Sequence, residues 1–215
     1  MYKFFILLAL FLAASLSANA ACDNADEAVK KGNYKQAVNY YRMCASKEDA
    51  VSMYKLASLY AKGLGISSPD KKAARKYYFK AANLGYAPAQ MMIGVDMILE
   101  NASSVDKTEG YKWLLLAAEK PDNKWIYPLS DTADSGKAVQ YLKQLNSLVT
   151  SREKKNAMAA AGIFKQQKIF QMAKLVLGQD EYKEFMMDYE KEGDARAAAL
   201  DYLRQRAAEY KKMTK

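Results

Sequence analysis

Four Ser-x-x-Lys spacings occur along the chain: Ser52 with Lys55, Ser68 with Lys71, Ser104 with Lys107, and Ser151 with Lys154. This spacing is the nucleophile motif of penicillin-binding enzymes, but its companions Ser-Asp-Asn and Lys-Thr-Gly are both missing. Lysine is abundant enough here to produce such pairs by chance. Two of the four recur at the period of an internal repeat, just before helices, and read as helix-start chemistry. Glycan cleavage needs two carboxylates on opposite sides of a bond. Glu109, Glu119 and Asp122 cluster in sequence, but nothing in the pattern places them across a cleft, so a solvated helix surface is the favoured reading.

The inventory narrows further. The chain has no histidine, which removes His-dependent triads, His metal sites and His-based pH switching. With two cysteines far apart and no Asp-rich loop, no metal site is expected and no cofactor is implied. Gly63 and Gly65 form a Gly-x-Gly that follows a helix and lacks a third glycine, so it is not a nucleotide loop. These features point away from catalysis.

Cys22 and Cys44 are the only cysteines. Their midpoint is residue 33, and Gly32-Asn33 is a turn signal between two helix-like segments. Residues equidistant from the turn of an antiparallel hairpin face each other, so these two are expected to form a disulfide. Closing that loop stabilises the fold by about 3 kcal/mol on the chain-entropy model. The spacing excludes a C-x-x-C redox pair.

The amino terminus agrees with an oxidising destination. Lys3 is followed by an apolar run from Phe4 to Ala14, then Ser17-Ala18-Asn19-Ala20. That order is the basic, apolar and small-x-small order of a secretory signal peptide, cleaved after Ala20. A membrane anchor fits less well, because the last third of the uncharged stretch is Ser, Ala and Asn. Acylation of Cys22 as a lipoprotein also fits less well, with Asn19 where Leu is usual. The expectation is a periplasmic or secreted protein with no membrane span after cleavage. Removing Lys3 leaves 32 of the 33 basic residues against 24 acidic ones, a charge of +8. Outside the cytoplasm such a charge favours anionic envelope surfaces or acidic proteins over nucleic acid.

Self-comparison exposes the elements that carry these residues. From Asp70, Ala74, Tyr78, Ala81, Ala82 and Gly85 follow at fixed offsets. From Asn33 the same offsets give Ala37, Tyr41, Cys44 and Ala45; from Asp106 they give Gly110, Leu114, Ala117 and Ala118. The segment before each anchor repeats too: Leu56, Ala57 and Tyr60 correspond to Ile93, Gly94 and Met97. Asp70 and Asp106 are placed at helix starts, where a carboxylate accepts backbone N–H bonds. Each unit reads as helix, turn, helix with a small-residue seam, and one unit cannot bury its apolar face alone.

The stretch Gly63-Leu64-Gly65-Ile66 through Asp70, Ala74, Tyr78, Ala81-Ala82, Gly85 and Ala89 resembles a Sel1-like repeat, a relative of the tetratricopeptide repeat. The resemblance spans about residues 23–120. Unit three departs from it, with Asn101-Ala102-Ser103-Ser104 in place of the Gly-x-Gly turn. The resemblance implies an all-α, right-handed α-solenoid of helix-turn-helix repeats that binds other proteins, often in bacterial envelopes. The first helix of each unit lines the inner face of such solenoids. Tyr54 and Met91, 37 apart on these helices, are therefore the candidate protein-binding residues.

The expected organisation is a signal peptide over 1–20, repeats over 21–120, a degenerate repeat or connector over 121–150, and a helical cap over 151–215. Pro121-Asp122-Asn123 breaks the third unit, and Trp125, Tyr127 and Pro128 follow in a distorted segment. Offsets from Asp134 allow a fourth unit with a helix over 136–149. Helices are expected over 152–177, 180–191 and 194–212, stopped by Gly178 and Gly193. Ala199, Leu203, Ala207 and Tyr210 form one apolar stripe on the last, so these helices should dock on the repeats and cap them. The leading expectation is an exported scaffold or regulator of an envelope or secreted protein. An enzyme acting on peptidoglycan or a β-lactam, and a secreted factor engaging a host protein, are the alternatives.

Overall fold

A computed structural model describes residues 22–100, 103–119, 132–191 and 193–213. The expected signal peptide over 1–20, the Pro121-Asp122-Asn123 break, the Trp125–Pro128 segment and Asn101-Ala102 lie outside the described residues. Every regular element within them is helical: α1 (22–30), α2 (Tyr34–Ala45), α3 (Ala50–Lys62), α4 (Lys71–Asn83), α5 (Ala87–Leu99), α6 (Ser104–Ala117), α7 (Thr132–Gln144), α8 (Ser151–Val176), α9 (Gln179–Tyr189) and α10 (Asp194–Met213). A short 3-10 turn, Asn146–Leu148, follows α7. The expected helix over 136–149 therefore starts earlier and ends sooner.

Two compact units divide the chain, one running through Asp96 and the other starting at Met97. The division falls inside α5.

In the first unit α3 packs on both α2 and α4. Ala37, Ala57, Ala81 and Ala82 are fully buried, as a close helix seam requires, and Tyr41, Tyr60 and Tyr78 fill the space beside them. Leu56, also fully buried, contributes about 1.5–3 kcal/mol by leaving water. The helix starts are set by side chains. Asp49 accepts the Ser52 N–H at 3.0 Å and Asp70 accepts the Ala73 N–H at 2.8 Å. Gly63 ends α3 in the left-handed conformation at φ 70°. Gly65 follows at φ 78°, and a Cβ there would collide with the Tyr34 carbonyl and lie 2.8 Å from the Lys35 nitrogen. The α3–α4 connection thus rests directly on the backbone at the start of α2.

In the second unit α6 packs on α7 and α8. Ser103 caps α6: it accepts the Asp106 N–H, and its own N–H and hydroxyl bond the Asp106 carboxylate at 3.2 and 2.7 Å. Asp106, in the first turn, accepts a backbone N–H as expected, and Ser103 takes the cap position in a reciprocal box with it. The same reciprocal box, Thr150 with Glu153, starts α8. Contacts advance in step along both helices: Ser104 bonds Glu153, Trp113 meets Phe164 edge-on at 5.3 Å, and Glu119 pairs with Lys165. The helix lying beside α6 with a matching capping box at its start is α8.

The cap expectation concerns the same contacts. Trp113, on the last expected repeat helix, is 1% exposed and packs on α8. Beyond it, Ile169 and Ala173 of α8, Leu177 just after it, Phe185 of α9, and Ala199 and Leu203 of α10 form one core. Ala207 is also buried, completing the described part of the α10 stripe; the Tyr210 side chain lies outside the described residues.

Candidate functional site

Three of the four Ser-x-x-Lys pairs have a member held by another side chain. Ser52 is buried in the first turn of α3, and the Lys55 ammonium bonds both Asp26 oxygens at 2.7 and 2.6 Å. An amine held as one half of an ion pair is not available as a base for a serine. Ser68 and Lys71 are exposed at the turn into α4. Ser104 bonds Glu153, and Lys154 donates to Asn146 at 2.6 Å. The candidate carboxylates are paired with lysines rather than with each other. Glu109 binds Lys112 and Glu119 binds Lys165, while Asp122 lies outside the described residues. Among the described residues no three His, Cys, Asp or Glu side chains gather as a metal set.

Asp26 is the centre of a polar clasp that sequence reasoning missed. It takes the Lys55 ammonium from α3 and the Tyr41 hydroxyl from α2. Burial pushes its carboxyl up, but the Lys55 and Tyr41 hydrogen bonds outweigh that and hold it below the ordinary value. Burial, and then the bond to Asp26, push the Tyr41 hydroxyl up. One turn before Asp26, Cys22 is joined to Cys44 of α2, with Cα atoms 6.0 Å apart. No local spacing signals the clasp, because its three residues come from three helices.

Tyr54 and Met91 do not form an open surface. Met91 is 7% exposed, and Tyr54 is half-buried with its ring 5.4 Å from Tyr78 and 5.2 Å from Tyr86. Recurrence at the repeat period marked positions that pack inside the array. For Met91 the assignment to a contact surface is therefore corrected: it belongs to the core.

One groove open to solvent, of about 560 Å³, is lined by Arg42, Tyr60, Ile66, Pro69, Asp70 and Lys71, among others. Arg42 Nε donates to the Tyr60 hydroxyl at 2.7 Å, and Tyr60 stacks on Tyr77 at 5.8 Å. Lys80 stands 5.9 Å over the Tyr77 ring. Arg42, Asp70 and Lys71 are exposed along the groove, while Tyr60 is 6% exposed and holds Arg42 from beneath. Two cations against one carboxylate suit an acidic side chain of a protein partner.

The helix pairs α1–α2, α3–α4 and α5–α6 coincide with three successive matches to the Sel1 repeat, at residues 19–49, 50–86 and 87–122. The chain carries three Sel1 repeats. Chitin synthase regulatory factor 1 of Schizosaccharomyces pombe is 35% identical over 96 aligned residues, covering 41% of this chain and 21% of that protein. A protective antigen present in uropathogenic Escherichia coli strains, displaying an SLR fold, matches with a TM-score of 0.54 at 16% identity. That likeness covers 75% of this chain and 33% of the antigen. The chain thus spans about a fifth of the first relative and a third of the second. The fold class is an all-α solenoid of Sel1 repeats, and Sel1 repeats are generally protein-interaction scaffolds.

Proposed function

We propose that this Sel1-repeat chain is an exported scaffold or regulator that binds a protein of the bacterial envelope or of the exterior. The groove carries this reading: exposed Arg42 and Lys71 supply charge, and the buried Tyr60 beneath fixes Arg42 in place. Arginine is among the residues that dominate protein contacts. Export is supported by the leader-like order of residues 1–20 and by the Cys22–Cys44 pair, a bond that persists in oxidising compartments. A regulatory role accords with the name of the fission yeast relative, a regulatory factor rather than a synthase.

Affinity capture from envelope extracts with the processed chain tests the groove. A partner held by the natural protein should be lost from Arg42→Glu/Lys71→Glu. Equal capture by both forms overturns the groove. Fractionation of cells and medium tests export, and unprocessed protein confined to the cytoplasm overturns it. Hydrolysis of a chromogenic β-lactam or purified cell wall, abolished by Ser52→Ala or Ser68→Ala, would overturn the binding role in favour of catalysis.

A further inference from the structure

The outward side of α4 carries Lys72, Lys76, Phe79 and Lys80, all exposed, opposite the buried Ala74, Tyr78 and Ala81. The helix contains five basic residues and no acidic one. Lys72 and Lys76 form no ion pair among the described residues. Phe79 keeps 41% of its surface exposed between these cations.

α9 presents the inverse pattern. Its outward side carries Asp180, Glu184, Met187 and Asp188, opposite the buried Phe185. Met187 is 67% exposed. Both helices place charge at offsets 0, 4 and 8 and one large apolar side chain at offset 7. Four helical residues rise about 6 Å, so the two charge rows have the same pitch. Laid side by side in the same direction, they pair Lys72 with Asp180, Lys76 with Glu184 and Lys80 with Asp188. Phe79 then meets Met187, a favourable sulfur–aromatic combination. Lys183 and Lys191 already contact Asp180 and Asp188 within their own segment, at 3.6 and 2.7 Å. These are exposed i, i+3 pairs, which contribute little and exchange readily.

We propose that copies of this chain bind one another head to tail, α4 of one against α9 of the next. This goes beyond the capture of a foreign partner and uses a different face from the groove. The occupant is a second copy because the complement matches in sign, spacing and the place of its apolar residue, which net charge alone does not require. The chain is basic overall, but at physiological ionic strength repulsion is screened beyond about 8 Å, while charges in contact still attract. Because the two surfaces differ, the contact is heterologous and builds closed rings or open chains.

Sedimentation of the purified processed chain tests this. Oligomers are expected at physiological salt and monomers at high salt. Lys72→Glu/Lys76→Glu, and separately Asp180→Lys/Glu184→Lys, should each weaken association at least about tenfold, as reversed contacts do. Mixing the two variants restores complementary faces and should restore assembly, as should one chain bearing all four changes; either recovery also establishes that the variants fold. A monomeric natural chain at physiological salt overturns the proposal. So does undiminished assembly by either variant, or failure of both the mixture and the fourfold chain to assemble. A salt-dependent change in shape at constant mass places the contact within one chain and overturns it too. A monomer that captures an acidic protein through α4 assigns that face to a foreign partner instead.

Discussion

The Lys55 ammonium lies 2.6 Å from an Asp26 oxygen, joining the third helix to the first across 29 residues of sequence. The same carboxylate accepts the Tyr41 hydroxyl, which belongs to a residue only 2% exposed. The two ends of this clasp are unequal. Asp26→Ala leaves a buried hydroxyl without its acceptor and should cost about 1–3 kcal/mol. Lys55→Met removes a charge from a pair that is about two-fifths exposed and should cost about 1 kcal/mol or less. Urea unfolding of both variants measures the difference, and equal losses would contradict the unequal burial.

The Cys22–Cys44 bond joins α1 to α2 at the same end of the array. Intact protein purified without reductant should be lighter than its reduced form by two hydrogens. Reduction should lower stability by about 3 kcal/mol. Free thiols at both positions, or a diacylglyceryl mass on Cys22, would show that the pair is not bonded.

Gly32 and Gly65 share left-handed backbones, at φ 75° and 78°. A Cβ on Gly32 meets nothing within 4 Å, whereas one on Gly65 runs into the Tyr34–Lys35 backbone. Gly32→Ala should cost about 1–2 kcal/mol from backbone conformation alone. Gly65→Ala adds a backbone displacement and should cost clearly more. Thermal melts that rank them the other way would mean the α3–α4 connection does not rest on α2.

Glu153 starts α8, and hydrogen bonds from Ser104 and from the Thr150 N–H and hydroxyl hold its carboxyl at about 2, against an ordinary 4.5. The unfolded chain therefore binds the proton more readily than the folded one between these values. The stabilisation is complete above the ordinary value and is lost as pH falls through that window. Glu153→Gln should lower stability at neutral pH and flatten the acid limb. An unchanged acid limb in pH-dependent urea melts would refute the assignment.

The helices, their period and their small-residue seam are legible in the sequence because burial of one side of a helix repeats with the chain. Ala81 and Ala82 sit where that period places them, and the symmetry of Cys22 and Cys44 about Asn33 is a property of any two-helix hairpin. Helix starts are legible only to within a turn. Serine and aspartate both bond the same free N–H groups, so Ser103 and Asp106 could each claim the cap from sequence alone.

What the tertiary structure decided is everything that depends on which way a periodic residue points and on who stands opposite. Met91 recurs with Tyr54 at the repeat spacing, yet it is buried, because the same period governs both the packing face and the exposed face. The clasp of Asp26, Tyr41 and Lys55 draws one residue from each of three helices, and no local spacing encodes an encounter of that kind. Composition and period are local quantities that a chain carries unfolded. The partner of a carboxylate is chosen only when helices distant in sequence close on one another.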